Sequence, residues 1–460
     1  MTLFTVVCFG QTVRYVSTSI GGAYDGTDIN HPTNDLKYAI NNSDIVLLKT
    51  GDTFYVNDLI VSEITLSSYG DGEAPIICGY KRIIEPRWVE IGNHIWKINL
   101  AEDNYSGVVL IGSSLSNNIG CIHEYDKNII HGHKVQHYSE LKSDWDMWQT
   151  ERFDKMISSN EFDWLYLYYE GNPNTLKLEF SITDAALRMS NATVENICFE
   201  GFGFGISAGT HSTIRNCELD AIGGRMQIGY DVYICYGNGI EFYVSKDIED
   251  CIVENCVISR CYDCGITIQG SGRGKATPRN IIVRNNLIFQ CCQGWEDFLR
   301  NDDDVVYENC VFENNVLLNN GMTSGFGYPE DRFKYCHLLG NNKTGNKGMI
   351  IRNNIFVGGN FYCSGAYEGV YKSNVWQGNT CVIKRGDFIL SNYTGNKDVI
   401  RIPTTRGVFS SLQAATKDAI LRYRELTGDQ TTKFVIKSHR SINRRITKMK
   451  NRCLDNQKNK

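Results

Sequence analysis

Short stretches in which apolar and polar positions alternate recur along the chain. Their common pattern is aliphatic, charged, Asn, Cys or Asn, any residue, apolar, as in IRNCEL at 214–219 and VENCVI at 253–258. Further copies are VRNNLI at 283–288, YENCVF at 307–312 and IRNNIF at 351–356, with looser copies VENICF at 194–199 and YKSNVW at 371–376. Short period-two strands at spacings of about 20 to 25 residues predict a solenoid in which each coil contacts its neighbours.

Asn occupies one position of each repeat for a conformational reason. It tolerates the left-handed backbone of a sharp bend, and its amide can bond the same amide one coil away. We therefore predict consecutive coils from about residue 190 to 380. In them, one stacked turn would contain Asn216, Asn255, Asn285, Asn309 and Asn353. The longer spacings between copies hold inserted loops, which in solenoids gather on the binding face, or a coil whose Asn has been replaced.

Other segments resemble a known family. The opening RYVSTSIGGAYDGTD, followed by NDLKYAI, DIVLLKTGDTF and ITLSSYGDGEAPIICG, is similar to the leader of right-handed parallel β-helix, pectin-lyase-like proteins that degrade polysaccharides. YGNGIEFY, CYDCGITIQG and QGWEDFLR look like three coils of secreted bacterial members. The resemblance implies an all-β, right-handed parallel β-helix with an N-terminal cap and a C-terminal capping helix. It does not choose a substrate, because the fold hosts lyases, hydrolases, esterases and non-catalytic proteins.

The β-helix is predicted to span residues 13–402. It comprises a leader and cap at 13–100, decorating strands at 101–190 and the main coils at 191–402. Within the decorating segment, EFDWLYLYYEGNP alternates aromatic residues before a turn, which favours a β-hairpin. Residues 1–12 resemble the end of a secretory signal peptide that lacks its basic part, so we expect a secreted or periplasmic protein.

The pattern changes after residue 402. Within 403–430, an apolar stripe of Phe409, Leu412, Ile420 and Leu421 ends near a glycine and predicts a helix that seals the last coil. Residues 431–460 are rich in Lys and Arg and are predicted to be a solvated tail. The alternative is an electrostatic contact between this segment and an acidic glycan or the cell envelope.

The net charge and the hydropathy of the chain limit the kinds of partner that it is expected to bind. The 460 residues contain 47 Lys and Arg against 52 Asp and Glu, a net charge of -5, which offers no overall attraction for nucleic acid. No apolar run reaches the roughly 18 residues of a membrane span. We expect a polysaccharide as the partner, with no nucleic acid and no membrane span. The oligomeric state stays open.

The 17 cysteines mostly occupy the repeat itself. Cys217, Cys256 and Cys310 align with Asn286 and Asn354, which is typical of small residues stacked inside a solenoid. Buried free thiols are the favoured interpretation, ahead of disulfides or zinc, because the only CxxC near these repeats lacks a second knuckle.

Three coil segments share a glycine, and aligning it brings two carboxylates into one column. Glu241 and Glu296 then project outward with Thr267 between them, while the preceding apolar residues point inward. Coils stack about 4.8 Å apart, so the two backbones would be roughly 9 to 10 Å apart. Inverting glycosidases hold their carboxyl groups about 6.5 to 9.5 Å apart.

Asp263 offers a second pairing. It lies at the edge of the same face, one coil from either glutamate, and a separation nearer 5 Å would suit a retaining mechanism. Tyr243, Tyr262 and Gln269 are candidate sugar contacts, since aromatic rings pack against the C–H faces of sugars. The alternative is that exposed glutamates on a β-helix only solubilise it.

A loop at 325–337 supplies further candidates. Arg332 could bind the carboxylate of a uronic acid, and His337 could act as an acid or a base. The loop is similar in composition to one that borders the active groove in related sequences. Arg300, together with Arg225 and Arg273, could also contact an anionic substrate.

The preferred hypothesis is a glycoside hydrolase that cleaves a polysaccharide with paired carboxylates. We expect Glu296, beside Trp295 and Asp297, to be the protonated acid and Glu241, in a more open strand, or Asp263 to be the base. The alternatives are a polysaccharide lyase acting on uronic-acid glycans and a non-catalytic carbohydrate-binding or envelope protein. No cofactor is expected for a hydrolase, whereas a lyase could use Ca²⁺.

Overall fold

The computed structural model describes most of the chain. The described residues are 10–82, 85–101, 117–152, 157–229, 235–270, 277–299, 307–321, 336–340, 349–364, 374–392, 400–402 and 409–458. Their main architecture is a β-helix built from three sheets of ten strands each. We name these sheets I, II and III.

Neighbouring strands pair in parallel throughout the three sheets except at one end of sheet III, where its last two strands are antiparallel. Sheet I contains Val13–Val16, Ile45–Lys49, Thr65–Tyr69, Thr193–Glu195, Thr213–Arg215, Ile248–Glu254, Pro278–Arg284, Val311–Glu313, Ile350–Arg352 and Val375–Gln377. Sheet II contains Thr53–Tyr55, Ile76–Cys78, Cys198–Glu200, Glu218–Asp220, Val257–Ser259, Leu287–Phe289, Val316–Leu318, Ile355–Val357, Thr380–Lys384 and Lys433–Lys437. Sheet III contains Leu59–Ser62, Thr183–Ser190, Phe202–Ala208, Ile240–Tyr243, Cys264–Gly270, Gln293–Leu299, Leu338–Gly340, Tyr362–Ser364, Phe388–Asn392 and Ile400–Arg401.

Each main coil runs from sheet I through a left-handed bend to sheet II and then to sheet III. The bend between sheets I and II is a column of Asn residues with φ between +54° and +59°, which few other residues adopt without strain. Its members are Asn196, Asn216, Asn255, Asn285, Asn314 and Asn353.

Asn309 was assigned to the wrong column. The strand after it pairs so that Glu313 follows the register of Arg284, which puts Asn314 in the bend between sheets I and II. Asn309 instead has φ +55° in another bend, where its amide bonds Asn280 at 3.3 Å. The chain thus has two columns of left-handed bends with similar local sequences, and a six-residue motif cannot tell them apart.

A second Asn column lies inside the solenoid. Asn286, Asn315, Asn354 and Asn379 are at most 2% exposed, and each donates its amide N–H to a backbone carbonyl of an adjacent coil at 2.8–3.1 Å. Each Oδ1 also accepts a backbone N–H. The buried amides therefore lock the register between coils, because an unpaired buried amide would be costly.

The predicted alignment of cysteines with this inner column is correct for two of three. Cys256 N–H donates to Asn286 Oδ1, and Cys217 is one coil further on. Cys310 is not in the column, because it stacks on the strand position of Ile281 with its thiol near Pro278 O. The cysteines that the structure describes are all free, and most are buried.

Both ends of the solenoid are covered by helices. Helix α1, Leu36–Asn41, begins at Asp35, whose carboxylate accepts the N–H of Tyr38 at 2.8 Å, and it buries Leu36 in the core. Helix α2, Phe409–Thr427, confirms the predicted C-terminal cap. Its Tyr423 is fully buried in the last coil, whereas Leu421 is 45% exposed and is not part of the packed stripe.

The decorating region is more elaborate than a hairpin. Trp164–Tyr168 pairs antiparallel with Ile95–Asn99 and Met147–Trp148, so its partners are distant in sequence. This four-stranded sheet is completed by Val89–Gly92. A second four-stranded sheet contains Tyr80–Arg82, Leu178–Ser181, Ile122–Glu124 and Ile129–His131, and a two-stranded sheet contains Arg225–Met226 and Cys235–Tyr236. The predicted hairpin is therefore wrong, since alternation fixes a strand but not its partner.

The C-terminal basic segment is ordered, which corrects the prediction of a solvated tail. Lys433–Lys437 extends sheet II, and helix α3, His439–Lys458, packs across the outer face of that sheet. Ile442, Ile446 and Met449 contact outward residues such as Leu287. The apolar positions of the helix are spaced three and four residues apart, as in an amphipathic helix. The prediction of a solvated tail used only the charge of the segment and missed this spacing. Among the helices described, none could cross a lipid bilayer.

Candidate functional site

The carboxylate column predicted from the shared glycine is present on sheet III. Glu241 pairs in register with Thr267, and Thr267 with Glu296. The preceding residues Ile240, Ile266 and Trp295 are at most 2% exposed and belong to the core of the solenoid. Because side chains alternate along a strand, the two glutamates face away from the core. This register confirms the placement, although not a catalytic role.

Both glutamates are more buried than the sequence indicated. Glu241 and Glu296 are each 6% exposed, so the expectation of an open strand around Glu241 is wrong. The pKa of Glu241 is raised to about 7, chiefly by burial; the amide of Asn238 opposes the rise, and the charge of Asp263 contributes to it. Burial also raises the pKa of Glu296 well above its ordinary value, and the charges of Asp263, Asp297 and Glu241 add to this.

The two carboxyl groups lean toward the same intervening strand. Gln269 Nε2 donates to Glu241 Oε2 at 2.6 Å, and Thr267 Oγ1 donates to Glu296 Oε2 at 3.0 Å. Asn238 Nδ2 also donates to Glu241 Oε2 at 2.8 Å. The backbones are two coils apart, roughly 9.6 Å, and the lean brings the carboxyl groups closer than that. The arrangement leaves one strand between two acids, which suits a water between them.

Asp263 lies beside this column. It is half-buried, and Gln293 Nε2 donates to its Oδ1 at 3.1 Å. Gln293 and Asn238 were missed in the sequence, although each directly precedes the glycine that set the alignment. Their position next to that glycine was the signal that could have revealed them.

Asp297 follows Glu296 and faces the opposite way, as expected for adjacent strand residues. It is 4% exposed and pairs in register with Ile268 of the core. A Cβ added at Gly340 would lie 2.9 Å from Asp297 Oδ1 and 2.6 Å from the Tyr362 hydroxyl. The absence of a side chain at Gly340 therefore leaves room for a carboxyl group within the solenoid.

The predicted sugar contacts divide into two groups. Tyr243 is 44% exposed and, like Gln269, shares the outward face of the carboxylate column. Tyr262 instead packs against a separate cluster that includes Tyr80 and Cys121, where a decorating sheet meets the solenoid. Tyr262 was predicted to contact a sugar, but in the structure it packs at that junction and not at the carboxylate column.

His337 is not on a groove. It is fully buried, its Nδ1 accepts from Asn320 Nδ2 at 3.2 Å, and its Nε2 donates to the carbonyl of Gly358. Burial lowers its pKa to about 4, so it is neutral at pH 7. The predicted role of His337 as a surface acid or base is wrong, since both ring nitrogens are used inside the core.

Of the predicted arginines the structure describes Arg225, which is not at the column. Arg225 is 6% exposed, and its guanidinium donates to Asp184 at 2.9 Å and to the carbonyls of Asn118 and Thr183. This pairing gives Arg225 a structural role. Arg273, Arg300 and Arg332, with most of the loop at 325–337, lie outside the described residues.

In the described part of the chain, His, Cys, Asp and Glu side chains form no group of three that could hold a metal ion. The acidic run Asp302, Asp303 and Asp304 lies outside that part.

Several solved structures have a similar chain path. One is XylC in complex with xylose, with 10% identity over 92% of this chain and 82% of that chain and a TM-score of 0.41. Another is a glycoside hydrolase, with 8% identity over 84% and 95% and a TM-score of 0.42. A third is an alginate lyase from Paenibacillus sp., with 13% identity over 83% and 96% and a TM-score of 0.32. Scores this low carry no argument about activity.

Sequence comparison adds no family. Neither a protein-family model nor a curated protein sequence matches the chain. The function proposed below therefore rests on the column of acids on sheet III.

Proposed function

We propose that this protein is a glycoside hydrolase that cleaves a polysaccharide at the carboxylate column of sheet III. The observation that carries the proposal is that Glu241 and Glu296 face one intervening strand, where burial raises the pKa of Glu241 to about 7 and that of Glu296 well above its ordinary value. A hydrolase needs one protonated and one ionised carboxyl group at the same pH. Two buried carboxyl groups on one face, close to a third acid, are candidates for these two roles.

Glu296 is the general acid in this proposal. Burial raises its pKa well above the ordinary value, and the charges of Asp263, Asp297 and Glu241 add to this, so Glu296 is the group that we expect to hold a proton. Glu296 would protonate the oxygen of the leaving sugar. Thr267 positions its carboxyl group through the 3.0 Å hydrogen bond and leaves the other oxygen for substrate.

Glu241 is the general base. Asn238 and Gln269 both donate to the same oxygen, Oε2, which holds the group in place and favours its ionised form. With one coil between the glutamates, Glu241 would activate a water on the opposite face of the sugar and invert the configuration. Asp263, one coil away from each, is the alternative base and would imply a shorter separation.

The experiment is a reducing-end assay on a panel of polysaccharides with five proteins. Wild type, Glu296→Gln, Glu241→Gln and Asp263→Asn are compared, with exposed Glu90→Gln as the matched control. We expect the control to retain activity and Glu296→Gln to lose it. Absorbance at about 235 nm, recorded in parallel, would reveal the unsaturated product of a lyase. Turnover that survives Glu296→Gln, or an unsaturated product, would overturn the assignment.

A further inference from the structure

A groove runs along the bend between sheets I and II, on a different part of the solenoid from the carboxylate column. Its volume is about 350 Å³. Its lining includes Asn255, Asn285 and Asn314 of the bend and Cys453 of helix α3, above the buried side chains of Val257 and Leu287. The groove therefore places a row of amides beside helix α3.

The amides along the groove are available to a ligand. Asn255, Asn285 and Asn314 use their backbone N–H groups within the solenoid, but their side-chain amides make no hydrogen bond to any residue that the structure describes. Successive amides are one coil apart, about 4.8 Å. A row of evenly spaced donors and acceptors suits an extended polymer with a short repeat.

The wall formed by helix α3 is cationic. Arg440, Arg444, Arg445, Lys448 and Arg452 are exposed, and within the described ranges no acid forms an ion pair with them. The opposite side of the helix packs on sheet II through its apolar residues. The positive charge is thus held by a packed helix rather than by a mobile segment.

The rotation of α3 directs part of this charge toward the groove. Lys450 lies over the ring of Phe289, 4.1 Å from its centroid, on the side of the helix away from the Asn column. At about 100° per residue, Arg452 is rotated roughly 160° from Lys450 and Arg445 roughly 140°. Both therefore project from the edge of α3 that faces the Asn column. They are seven residues apart, about 10.5 Å along the helix, or about two coils.

We propose that this groove is a second binding site, for an extended anionic polysaccharide. Arg445 and Arg452 would bind its carboxylate or sulfate groups, and the Asn amides its hydroxyl groups. The site would hold a polymer while its chain is processed elsewhere on the solenoid. The inference stands on the groove and on α3, and it does not depend on which carboxylate is catalytic.

The first test measures binding of polygalacturonate to the full-length Glu296→Gln protein, which should leave the polymer intact. Affinity electrophoresis and calorimetry compare it with neutral hydroxyethyl cellulose. We expect Arg445→Gln with Arg452→Gln to raise Kd at least tenfold. Arg440→Gln, the same change on the same helix about 18 Å from Arg452, should alter Kd less than twofold. Equal effects of the two sets, or no binding by any protein, would overturn the proposal.

The amides are tested by Asn255→Gly with Asn285→Gly. Gly378 already occupies this column with φ +67°, so glycine keeps the bend and removes only the amide. We expect a three- to tenfold rise in Kd with unchanged circular dichroism. Unchanged Kd would exclude the amides and, with them, the groove.

The half-buried thiol of Cys453 reports directly on the groove. Bound polygalacturonate should slow its alkylation at least fivefold, measured by mass spectrometry, and leave Cys235 unaffected. Single-stranded poly(dT) serves as a polyanion of another class. If poly(dT) protects Cys453 as well as polygalacturonate does, the surface recognises charge alone and the proposal is wrong. Failure of hydrolysis with protection intact would refute only the proposed function.

Discussion

Two columns of acidic residues on this solenoid differ in how they are compensated. On sheet I, Glu195, Arg215, Glu254, Arg284, Glu313 and Arg352 follow one another in register on successive strands. Neighbouring members of this series form salt bridges. Arg284 Nη2 is 2.7 Å from Glu254 Oε2, and Arg352 Nε is 2.6 Å from Glu313 Oε2. Each acid therefore has a cation one coil away.

Among the described residues, no cation stands in register one coil from either glutamate of the column on sheet III. Arg188, two coils from Glu241 in the same register, acts on its pKa only from that distance and lowers it. Glu241 and Glu296 alternate with Thr267, and their recorded hydrogen-bond partners are a hydroxyl group and two amides. Leu339 follows on the next strand. Where neutral donors replace guanidinium groups, burial and like charge dominate, and the pKa values rise. The same fold can thus make an inert acid or a protonated one, depending on which residue the next coil supplies.

The largest expected effect comes from neutralising Glu296. Glu296→Gln should reduce hydrolysis by about 10²- to 10⁴-fold, the range typical of a lost general acid. Glu313→Gln removes an acid from the compensated column and should leave the rate unchanged. Initial rates of reducing-end release would measure both. Equal losses would mean that the two columns do not differ in function.

The pH dependence of hydrolysis should separate the two candidate bases. Because the base must be ionised and the pKa of Glu241 is about 7, the rate should rise as pH increases through about 7. It should fall at higher pH as Glu296 loses its proton. In Glu241→Gln the rise near pH 7 should disappear along with most of the rate. If Asp263→Asn removes that rise and Glu241→Gln does not, Asp263 is the base.

The Glu241→Gln change should raise the free energy of unfolding although it lowers the rate of hydrolysis. The pKa of the Glu241 carboxyl group is about 7 in the folded protein, against about 4.3 in an unfolded chain. Its burial therefore does not lower the free energy of unfolding below pH 4, and lowers it increasingly as pH rises from there to above 7. Glu241→Gln should therefore stabilise the fold by about 3 kcal/mol at pH 8 and hardly at all at pH 4. Urea unfolding at both pH values measures this. A variant less stable than wild type at pH 8 would contradict the burial of a protonatable acid.

The smallest effect is expected in the compensated column. Arg284→Met leaves Glu254 without its partner and should lower the free energy of unfolding by about 1 kcal/mol, less at high salt. The matched control is exposed Arg87→Met. Thermal unfolding at two salt concentrations would measure the difference. A loss as large as 3 kcal/mol would show that the ladder is a main support of the solenoid.

The sequence predicted the coils well and their register less reliably. The glycine shared by three segments correctly aligned Glu241, Thr267 and Glu296, because a strand of fixed period leaves few registers once one residue is fixed. Asn309 was misplaced because two bends of the coil use the same left-handed conformation. The basic C-terminal segment was misread because its charges hid apolar positions at helical spacing.

Periodicity, left-handed Asn bends and outward acids were determined by the sequence alone, since each depends on residues close together in the chain. The burial of Glu241 and Glu296, the interior position of His337 and the pairing of Arg225 with Asp184 were decided by the tertiary structure. Exposure and pKa depend on which distant segments surround a group. No local pattern records that, so the sequence could place the acids in a column, but only the folded chain made them chemically unlike the paired acids of sheet I.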